Sequence, residues 1–521
     1  MLAAIRSAAV LGIEALPVTV EVDVARGLPQ WTIVGLAAGA VKESRERVSA
    51  ALTNSGFVLP PRRVTVNLAP ADLRKEGTSY DIAIALGLLV ATGQLDGPAA
   101  AGLCVMGELG LDGSVRSVRG VLPVARTTAG EGRRLVVPPG NAAEARLVTT
   151  LRVSAPTSLR ELTDWLRAGR LPDAEPPLAP APPAAAAADL ADVLGQGVAK
   201  RALEIAAAGD HGVLFVGPPG AGKTLLAQCV PGILPPLSDA EALEVIAVHS
   251  VAGVMPPGGV CAPARPFRAP HHTVSTAGLV GGGSAPRPGE VSLAHLGVLF
   301  LDELLEFPRA TLDALRQPIE DGVVVLTRAA GSVRYPARFT LVGAMNPCPC
   351  GRSGDPTAVC VCAPADIRRY RARLSGPLAD RIDLHVPVAA VPVRELALPA
   401  ARARGECSAA VRERVTQARA AQRARYAALP GIVANGRVPG RWLARETPVA
   451  PAARELLATA AERLGLSARG YHRVLRVART IADLDGATGI DAACVAEALR
   501  YRAPLARDGS PAGVENGHVD G

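Results

Sequence analysis

The segment GPPGAGKT, at residues 217–224, constrains the fold more than any other feature of the sequence. It fits the pattern G-x-x-x-x-G-K-[ST] and follows the apolar run Val213–Val216, so we predict a strand, a phosphate-binding loop and then a helix. In such a loop the backbone N–H groups cradle a β-phosphate, while Lys223 reaches the β- and γ-phosphates and Thr224 ligates Mg²⁺. The predicted ATP-binding residues are Gly217, Pro218, Pro219, Gly220, Ala221, Gly222, Lys223 and Thr224.

Two further apolar runs end in polar side chains, as is expected at the carboxyl edge of a parallel sheet. The run at 297–301 ends in Asp302 and Glu303, and a later run ends in Asn346. Asp302 is expected to hold Mg²⁺ through its water shell, and Glu303 to polarise the water that attacks ATP. Asn346 either orients that water or belongs to an ordinary turn. The order of strands and helices predicts an α/β fold with its site at this edge.

Breaks in composition divide the chain, whose 521 residues exceed what one hydrophobic core normally serves. Pro and Ala dominate residues 171–188, which we interpret as a linker. Helical periodicity dominates residues 405–505, and the polar end of the chain is expected to be disordered. The five predicted segments are an N-terminal domain at 1–168, a linker at 169–189, an ATPase core at 190–398, a helical domain at 399–506 and a tail at 507–521.

The composition argues against several classes of protein. No uninterrupted run of about 18 apolar residues occurs, so we expect no membrane span. The first residues lack the basic start and apolar block of a signal peptide, and the nine cysteines are an odd number, so we expect a cytoplasmic protein with reduced thiols. The net charge of +8 permits a nucleic-acid partner, whereas the 3% aromatic content disfavours a base-stacking surface. Contacts to DNA would therefore be mainly to phosphate.

Four cysteines follow Asn346 in the pattern C-x-C-x9-C-x-C, at Cys348, Cys350, Cys360 and Cys362. Four thiolates can bind Zn²⁺ tetrahedrally, and a zinc ion here would brace the loop that follows Asn346. The usual spacing within a zinc-binding pair is C-x-x-C, so free or redox-active thiols stay an open alternative.

Longer segments carry a specific resemblance. They are PFRAPHHTVSTAGLVGGGSAPRPGEVSLAHLGVLFLDELLEF, LRQPIEDG, LVGAMNPCPCG and LSGPLADRIDLHV. They resemble the Mg-chelatase-like AAA+ group and, within it, the ComM/YifB family, over nearly all of residues 1–505. The resemblance implies an AAA+ P-loop NTPase core with a small helical lid domain. It also implies a homo-hexameric, ATP-dependent DNA helicase that promotes branch migration in natural transformation and recombination, with single-stranded and branched DNA as partners.

The resemblance also assigns roles to single residues. Asn346 matches a sensor-1 residue, and Arg381, in ADRID, matches an arginine finger that reaches the γ-phosphate of a neighbouring subunit. Arg469, in SARGYHRVLR, matches a sensor-2 arginine, and DVLGQ at 192–196 matches the segment that lines the adenine pocket. Ordinary surface charge is the alternative for each arginine. The finger implies assembly, because it cannot act on the nucleotide of its own subunit.

Two insertions are the candidates for DNA contact. Residues 279–292 are Gly-rich and carry Arg287, and residues 323–339 form two strand-like arms that predict a β-hairpin with Arg328 and Arg334 near its tip. In the family these are the helix-2 insert and the pre-sensor hairpin. Arginines on flexible backbone at a pore can follow phosphates without reading sequence, and a solvated hairpin face is the alternative.

The N-terminal domain resembles the proteolytic domain of Lon, in NLAPADLRKEGTSYDIAIALGLL and MGELGLDGSVRSVRGVLPVA. Ser79 falls at the position of the Lon serine, but the position of the Lon lysine falls near Leu122, and residues 76–199 contain no lysine. A serine nucleophile needs a base, so we expect an α+β domain without peptidase activity that serves subunit contacts or DNA binding.

Two other functions stay open at this point. One is an Mg-chelatase-type AAA+ remodelling chaperone, which normally works with a partner that carries a metal-binding integrin-like domain; this chain has no such domain. The other is a Lon-like ATP-dependent protease, which the missing lysine disfavours.

Overall fold

The computed structural model describes residues 2–175, 188–255, 264–283, 286–328, 331–353, 359–391 and 405–502, apart from the side chain of Arg328. The predicted tail at 507–521, most of the predicted linker and the predicted boundary at 398–399 lie outside these ranges.

The N-terminal part is a twisted sheet with helices on it. Its elements are β1 (Leu2–Leu11), β2 (Glu14–Ala25), β3 (Gln30–Val34), α1 (Gly39–Lys42), α2 (Ser44–Asn54), β4 (Arg63–Ala69), α3 (Asp81–Ala91), β5 (Leu103–Val105), β6 (Glu108–Leu109), β7 (Val115–Arg116), α4 (Val121–Gly130), β8 (Arg134–Val136), α5 (Pro139–Ala145), β9 (Val153–Ser154) and α6 (Leu159–Arg167), with a 3₁₀ turn at Gly97–Ala100. Seven strands form one sheet in the order β3-β4-β2-β1-β5-β8-β9, and β6 pairs separately with β7.

The packing of this sheet follows from the alternation of buried and more exposed residues along its strands. Alternate residues of β2 are buried because a strand has a period of two, and α3, buried along its whole length, covers β1 and β2. The helix can approach because residue 87 is glycine: a Cβ there would lie 2.5 Å from Cγ2 of Val22. The likeness of this domain to Lon stays a prediction.

The ATPase core is a parallel α/β sheet. Its elements are α7 (Gly197–Gly209), β10 (Val213–Val216), α8 (Lys223–Ile233), α9 (Asp239–Ala252), β11 (Phe267–Arg268), α10 (Thr276–Val280), β12 (Gly281–Gly282), β13 (Arg287–Pro288), α11 (Glu290–Leu293), β14 (Val298–Leu301), α12 (Arg309–Asp313), α13 (Arg316–Asp321), β15 (Val323–Arg328), β16 (Gly331–Pro336), β17 (Thr340–Met345), α14 (Pro364–Arg371), α15 (Gly376–Ala379) and β18 (Leu384–Pro387), with 3₁₀ turns at Leu190–Asp192 and Leu304–Glu306. Five strands pair in parallel in the order β11-β14-β17-β10-β18.

This architecture confirms the predicted α/β class and several predicted elements. β14 and β17 are buried throughout, because helices cover both faces of the sheet and both faces are therefore apolar. The predicted hairpin is present as β15 and β16, which pair in antiparallel register from Val323 with Pro336 to Arg328 with Gly331.

The C-terminal part is helical, as the periodicity predicts. Its helices are α16 (Ser408–Arg425), α17 (Gly440–Glu446), α18 (Pro451–Leu464), α19 (Ala468–Leu484) and α20 (Ala492–Arg500), with a 3₁₀ turn at Asn435–Arg437. The sequence analysis did not predict the short α17. Helix α16 packs on α7 and α8, and α19 packs on α7, so the helical part is fixed to the ATPase core. No helix in the described part of the chain is long and apolar enough to cross a membrane.

The N-terminal sheet domain docks on the ATPase core through two helices. Helix α4 packs against α9, where buried Leu122 meets Ile246 and Ala247. The backbone N–H of Gly120 donates to the carbonyl oxygen of Ser250 at 3.2 Å. Leu122, near which the sequence analysis expects the Lon lysine position to fall, is therefore a leucine buried under the ATPase core.

We expect Leu122→Asp to destabilise this interface. The carboxylate would be buried against Ile246 and Ala247 without a cationic partner in the contacts described, at a cost of at least about 2 kcal/mol. The measurement is the urea midpoint of unfolding. Leu111→Asp is the matched control, because Leu111 is 57% exposed and its replacement should cost less than about 0.5 kcal/mol. Equal midpoints for the two variants would contradict the docking of α4 on α9.

Candidate nucleotide-binding site

The site lies at the carboxyl edge of the parallel sheet. Strands β10, β14 and β17 run in the same direction, so the residues that follow them share that edge. The phosphate-binding loop, defined as residues 217–224, joins β10 to α8. Gly220 and Gly222 have φ of +76° and +85°, a region that glycine occupies without strain, and among the described residues no heavy atom lies within 4 Å of a Cβ built at either. The loop is therefore open at the position a phosphate would take.

Lys223 binds three oxygens around this opening. Its Nζ donates to the carbonyl oxygens of Gly217 at 2.6 Å and Pro218 at 3.0 Å, and to Oδ1 of Asn346 at 3.1 Å. Burial lowers the pKa of Lys223, and the charges of Asp302 and Glu303 act in the opposite direction. Two of these oxygens belong to the phosphate-binding loop itself, so the ammonium group lies against the loop.

Thr224 and Asp302 form the second contact across the site. The Thr224 hydroxyl donates to Oδ2 of Asp302 at 2.9 Å, and Oδ1 of Asp302 accepts the backbone N–H of Glu303 at 2.9 Å. A hydroxyl and a carboxylate oxygen are ligands that suit Mg²⁺, directly or through water. The residues present therefore fit a magnesium ion at the mouth of the phosphate-binding loop.

Glu303 has an unusual backbone conformation and a histidine neighbour. Its φ is +48°, and its Oε2 lies 3.3 Å from Nδ1 of His272. The rings of His271 and His272 are tilted by 34° to each other, with centroids 4.0 Å apart. Sequence analysis missed the contact of His272 with Glu303, because no local spacing connects the end of β11 with the end of β14. The histidine holds the carboxylate at the edge of the site.

The segment predicted to line the adenine pocket adjoins the phosphate-binding loop. Gln196, with φ of +53°, donates from Nε2 to the carbonyl oxygens of Ala221 at 3.4 Å and Ala389 at 2.6 Å. This side chain therefore connects the segment before α7 with the loop and with the end of β18.

The four predicted cysteines come together directly after Asn346. The Sγ atoms of Cys348 and Cys350 are 3.4 Å apart, and Sγ of Cys360 lies 3.7 Å from that of Cys348 and 3.6 Å from that of Cys350. The Sγ atom of Cys362 lies within 4.8 Å of the other three. The backbone N–H of Arg352 lowers the pKa of the Cys350 thiol to about 6. The four residues, called the cysteine cluster below, could hold one metal ion.

Arg381 pairs with Glu320 of α13, and the charge of Arg469 also acts on that carboxylate. Arg381 donates from Nε to Oε2 of Glu320 at 3.1 Å, and from Nη1 to the carbonyl oxygen of Pro377 at 2.9 Å. The hydrogen bond from Arg381 lowers the pKa of Glu320, and the charges of Arg469 and Arg473 add to that effect. Helix α19, which carries Arg469, is tied to this segment because Nη1 of Arg473 donates to the carbonyl oxygen of Arg381 at 2.9 Å.

A cleft of about 420 Å³ adjoins Arg381. Residues of α12, α13 and the turn between them line it together with Arg381: Asp313, Ala314, Arg316, Gln317, Glu320 and Asp321. Among the described contacts, neither Arg381 nor Arg469 pairs with the phosphate-binding loop. Among the described residues, the side-chain contacts of Arg381 are thus with Glu320 and Pro377 and not with the phosphate-binding loop.

The two predicted DNA-contacting insertions touch each other. Tyr335 of β16 donates its hydroxyl to the carbonyl oxygen of Pro286, next to Arg287, at 2.8 Å. The side chains of Arg287 and Arg334 are exposed, and that of Arg328 lies outside the described atoms. The turn between β1 and β2 meets the hairpin, because a Cβ on Gly12 would lie 2.8 Å from the carbonyl oxygen of Arg334. The insertions and the N-terminal domain therefore form one continuous surface.

Three family models match the sequence. The model described as magnesium chelatase, subunit ChlI, matches residues 189–396. The model described as subunit ChlI of Mg-chelatase matches residues 20–141, and the magnesium chelatase subunit ChlI C-terminal model matches residues 405–502.

Relatives match the chain over almost its whole length. Competence protein ComM of Haemophilus influenzae is 43% identical over 511 residues, which cover 96% of this chain and 97% of that protein. The YifB protein of Salmonella typhimurium is 44% identical over 505 residues, with coverages of 96% and 97%. An uncharacterized protein of Mycobacterium tuberculosis is 47% identical over 510 residues, with coverages of 96% and 98%.

Substitutions at Lys223 and Glu303 should separate nucleotide binding from turnover. We expect Lys223→Ala to raise the Kd of a fluorescent ATP analogue by at least about 100-fold, because two charge-assisted hydrogen bonds to phosphate are lost. Glu303→Gln should bind the analogue but lose at least about 100-fold in ATP turnover, because the carboxylate base is gone. Lys42→Ala, at an exposed lysine of α1, is the control for loss of a positive charge. Tight binding by Lys223→Ala would refute the assigned site.

Proposed function

Because the chain belongs to the ComM/YifB family of Mg-chelatase-like AAA+ proteins, we propose that it is an ATP-dependent DNA motor. Six copies would form a ring that hydrolyses Mg·ATP at the subunit interfaces and moves single-stranded or branched DNA. This helicase activity would promote branch migration during natural transformation and recombination, in the cytoplasm. Its cofactors are ATP and Mg²⁺ at the phosphate-binding loop and Zn²⁺ at the cysteine cluster.

One observation carries the ATPase part of the proposal. The contacts Lys223–Asn346 and Thr224–Asp302 join the phosphate-binding loop to the ends of two other strands. A cation for the phosphates, two oxygen ligands for Mg²⁺ and an amide therefore surround one opening. Bound Mg²⁺ would neutralise charge on the phosphates, and this arrangement supports the ATPase activity that the family suggests.

Different residues of this chain would have different roles in ATP hydrolysis. Lys223 exchanges its carbonyl partners for phosphate oxygens when ATP enters the loop. Glu303 leaves His272 and accepts a hydrogen bond from the attacking water, and it takes up the proton as the water bonds to the γ-phosphorus. Asn346 orients the water with its amide. The leaving ADP keeps the electrons of the broken P–O bond, so no further reactant is needed.

The arrangement of Arg381 supports assembly into a ring. An arginine finger must reach the γ-phosphate of another subunit, and Arg381 pairs with Glu320 rather than with its own phosphate-binding loop in the contacts described. The charge of Arg469 acts on the same carboxylate, which is compatible with the sensor-2 role proposed for Arg469. In the ring, phosphate would replace Glu320 as the partner of Arg381.

The surface formed by the insertions supports DNA as the substrate. Arg287 and Arg334 are exposed on adjoining hairpins, and the chain carries a net charge of +8. Such arginines would contact phosphates without reading bases. The name of the Haemophilus influenzae relative, a competence protein, supports a role in the uptake or integration of DNA.

The N-terminal domain, at 1–168 in this proposal, has a Lon-like fold without peptidase activity. Leu122, near the expected position of the Lon lysine, is buried against α9, which supports a docking role for this surface. The core at 190–398 would hold the nucleotide, and the helical domain at 399–506 would act as its lid.

An Mg-chelatase-type remodelling ATPase is the second candidate. All three family models that match the chain are described as parts of magnesium chelatase, which favours this second candidate function. A remodelling ATPase would respond to a protein partner, whereas a DNA motor responds to DNA, so the same turnover assay distinguishes them.

We expect single-stranded and branched DNA to bind at low salt and to stimulate ATP turnover. Arg287→Ala combined with Arg334→Ala should weaken DNA binding at every sequence tested, and the slope of log K against log salt should fall by about 2. Arg454→Ala, at an exposed arginine of α18, controls for loss of charge, and melting curves control for folding. If neither DNA binds or changes turnover, the DNA motor is wrong and the remodelling ATPase is favoured.

Mixed rings test the arginine finger. Arg381→Ala and Lys223→Ala should each abolish turnover alone. Mixing the two should restore part of it, because a subunit with intact Lys223 then receives Arg381 from a neighbour. Turnover is measured against the mixing ratio, with the Lys223→Ala plus Lys223→Ala,Arg381→Ala mixture as the inactive control. No recovery, in mixtures whose co-assembly is verified by pull-down, would show that Arg381 does not act between subunits.

A further inference from the structure

The cysteine cluster has the geometry of a tetrahedral metal site. Three of its Sγ···Sγ distances are 3.4, 3.6 and 3.7 Å, and all four sulfurs lie within 4.8 Å of one another. Four thiolates bound at about 2.3 Å around Zn²⁺ lie about 3.8 Å apart, whereas a disulfide bond is about 2.05 Å long. A disulfide would also join the sulfurs in pairs, and here Cys348, Cys350 and Cys360 form a triangle. The geometry favours one shared ion.

Backbone groups support negative charge on these sulfurs. The N–H of Cys350 donates to Sγ of Cys362 at 3.4 Å, and the N–H of Ser353 donates to Sγ of Cys348 at 3.3 Å. Such hydrogen bonds orient and stabilise thiolate ligands. Four thiolates so close together would repel one another without a cation between them. Tetrahedral ligation by four thiolates is typical of structural Zn²⁺ sites and of iron–sulfur centres, and we take Zn²⁺ as the ion that the metal analysis below tests.

In the described part of the loop that carries the cluster, residues 347–353 and 359–362, two apolar side chains are exposed to solvent. Val359 and Val361, on either side of Cys360, are each 81% exposed. Cys350, Cys360 and Cys362 are only half-buried, and Cys348 alone is fully buried. A segment with such exposed apolar side chains needs another source of order, and a structural metal supplies it in small loops of this kind.

The same loop touches the phosphate-binding loop. Gly351, with φ of +76°, lies so close to Pro219 that a Cβ on it would be 2.6 Å from Cδ of that proline. Cys348 follows Asn346 by two residues, and Asn346 accepts the hydrogen bond from Lys223. From the other side, Arg371 of α14 donates to the carbonyl oxygen of Pro347 at 3.1 Å. The cysteine cluster is therefore joined to the nucleotide site at two points.

We infer that one Zn²⁺ bound by Cys348, Cys350, Cys360 and Cys362 fastens the end of β17 to the phosphate-binding loop, and that this zinc clasp sets the affinity for ATP. With zinc bound, the turn at 346–351 is fixed, so Asn346 stays on Lys223 and Gly351 stays on Pro219. Without zinc, both contacts loosen. Part of the binding free energy of ATP is then used to order the loop, so the affinity for ATP falls. This inference rests on the zinc in the proposed cofactor set and is independent of DNA.

The metal content of the protein tests whether the cysteine cluster binds one zinc ion. Elemental analysis of the purified full chain should give one zinc per chain, and Cys348→Ser combined with Cys350→Ser should give none. Cys407→Ser, at an exposed cysteine outside the cluster, should keep its zinc. Refolding or exchange with Co²⁺ should give the visible absorption of tetrahedral thiolate cobalt in the wild type and in Cys407→Ser only. A wild type that contains no zinc and takes up no Co²⁺ would overturn the inference.

Gly351→Ala tests whether the contact between the two loops sets the affinity for ATP, without removing a zinc ligand. The added Cβ should push the loop away from Pro219, so the Kd of a fluorescent ATP analogue should rise about tenfold, or about 1.4 kcal/mol, while the zinc content stays at one. Gly431→Ala is the matched control, because Gly431 has φ of +78° and a Cβ there meets no described heavy atom within 4 Å. The zinc-free cysteine double variant should weaken analogue binding at least as much.

The outcomes separate this inference from the proposed ATPase. If the cysteine double variant fails to fold, wild type stripped with a chelator replaces it, and readdition of Zn²⁺ should restore the original Kd. If zinc is bound but Gly351→Ala and the stripped protein bind the analogue as tightly as wild type, the clasp is wrong and the ATP site stands. If wild type itself binds no analogue, the proposed ATPase fails whatever the zinc content.

Discussion

The site depends on a lysine ammonium group held away from water. Lys223 is largely buried, and burial lowers its pKa, whereas the charges of Asp302 and Glu303 act against that effect. Oxygens of Gly217, Pro218 and Asn346 accept hydrogen bonds from the buried ammonium group and stabilise its charge. Two of these oxygens belong to the loop itself and one to the end of β17. The ammonium therefore ties the loop to the sheet, and it is ready to exchange these partners for phosphate.

The order of the strands explains why distant segments meet there. Because β17 lies between β10 and β14, Asn346 is next to the phosphate-binding loop and Asp302 is one strand farther away. Helix α8 bridges that gap, since its second residue, Thr224, donates to Asp302. The cysteine cluster continues from β17, so it is placed beside the loop by the same strand. Arg381 pairs with Glu320 of α13 and, among the described contacts, not with this loop.

Local patterns predicted the parts of this structure that have a local cause. The apolar runs before residues 217, 302 and 346 are strands, because a strand that is buried on both faces is apolar throughout. The long periodic segments beyond residue 405 are helices, because a helix that is buried along one stripe repeats its apolar residues with the helical period. Helix α17 is too short for this periodicity to be recognised in the sequence. The contact of His272 with Glu303, the burial of Leu122 under α9 and the pairing of Arg381 with Glu320 are tertiary, and no spacing encodes them. The cysteine spacing indicated a cluster, but only the fold brings its sulfurs to within bonding distance of one ion.

The most direct measurement is an experimental structure of the full chain with Mg²⁺ and a non-hydrolysable ATP analogue. We expect Lys223 to have left the carbonyl oxygens of Gly217 and Pro218 for the β- and γ-phosphates, with Thr224 ligating Mg²⁺ at about 2.1 Å and Asp302 in contact with the same ion or its water. A nucleotide bound away from residues 217–224, or a magnesium ion that neither Thr224 nor Asp302 approaches, would contradict the shared site on which the proposed motor depends.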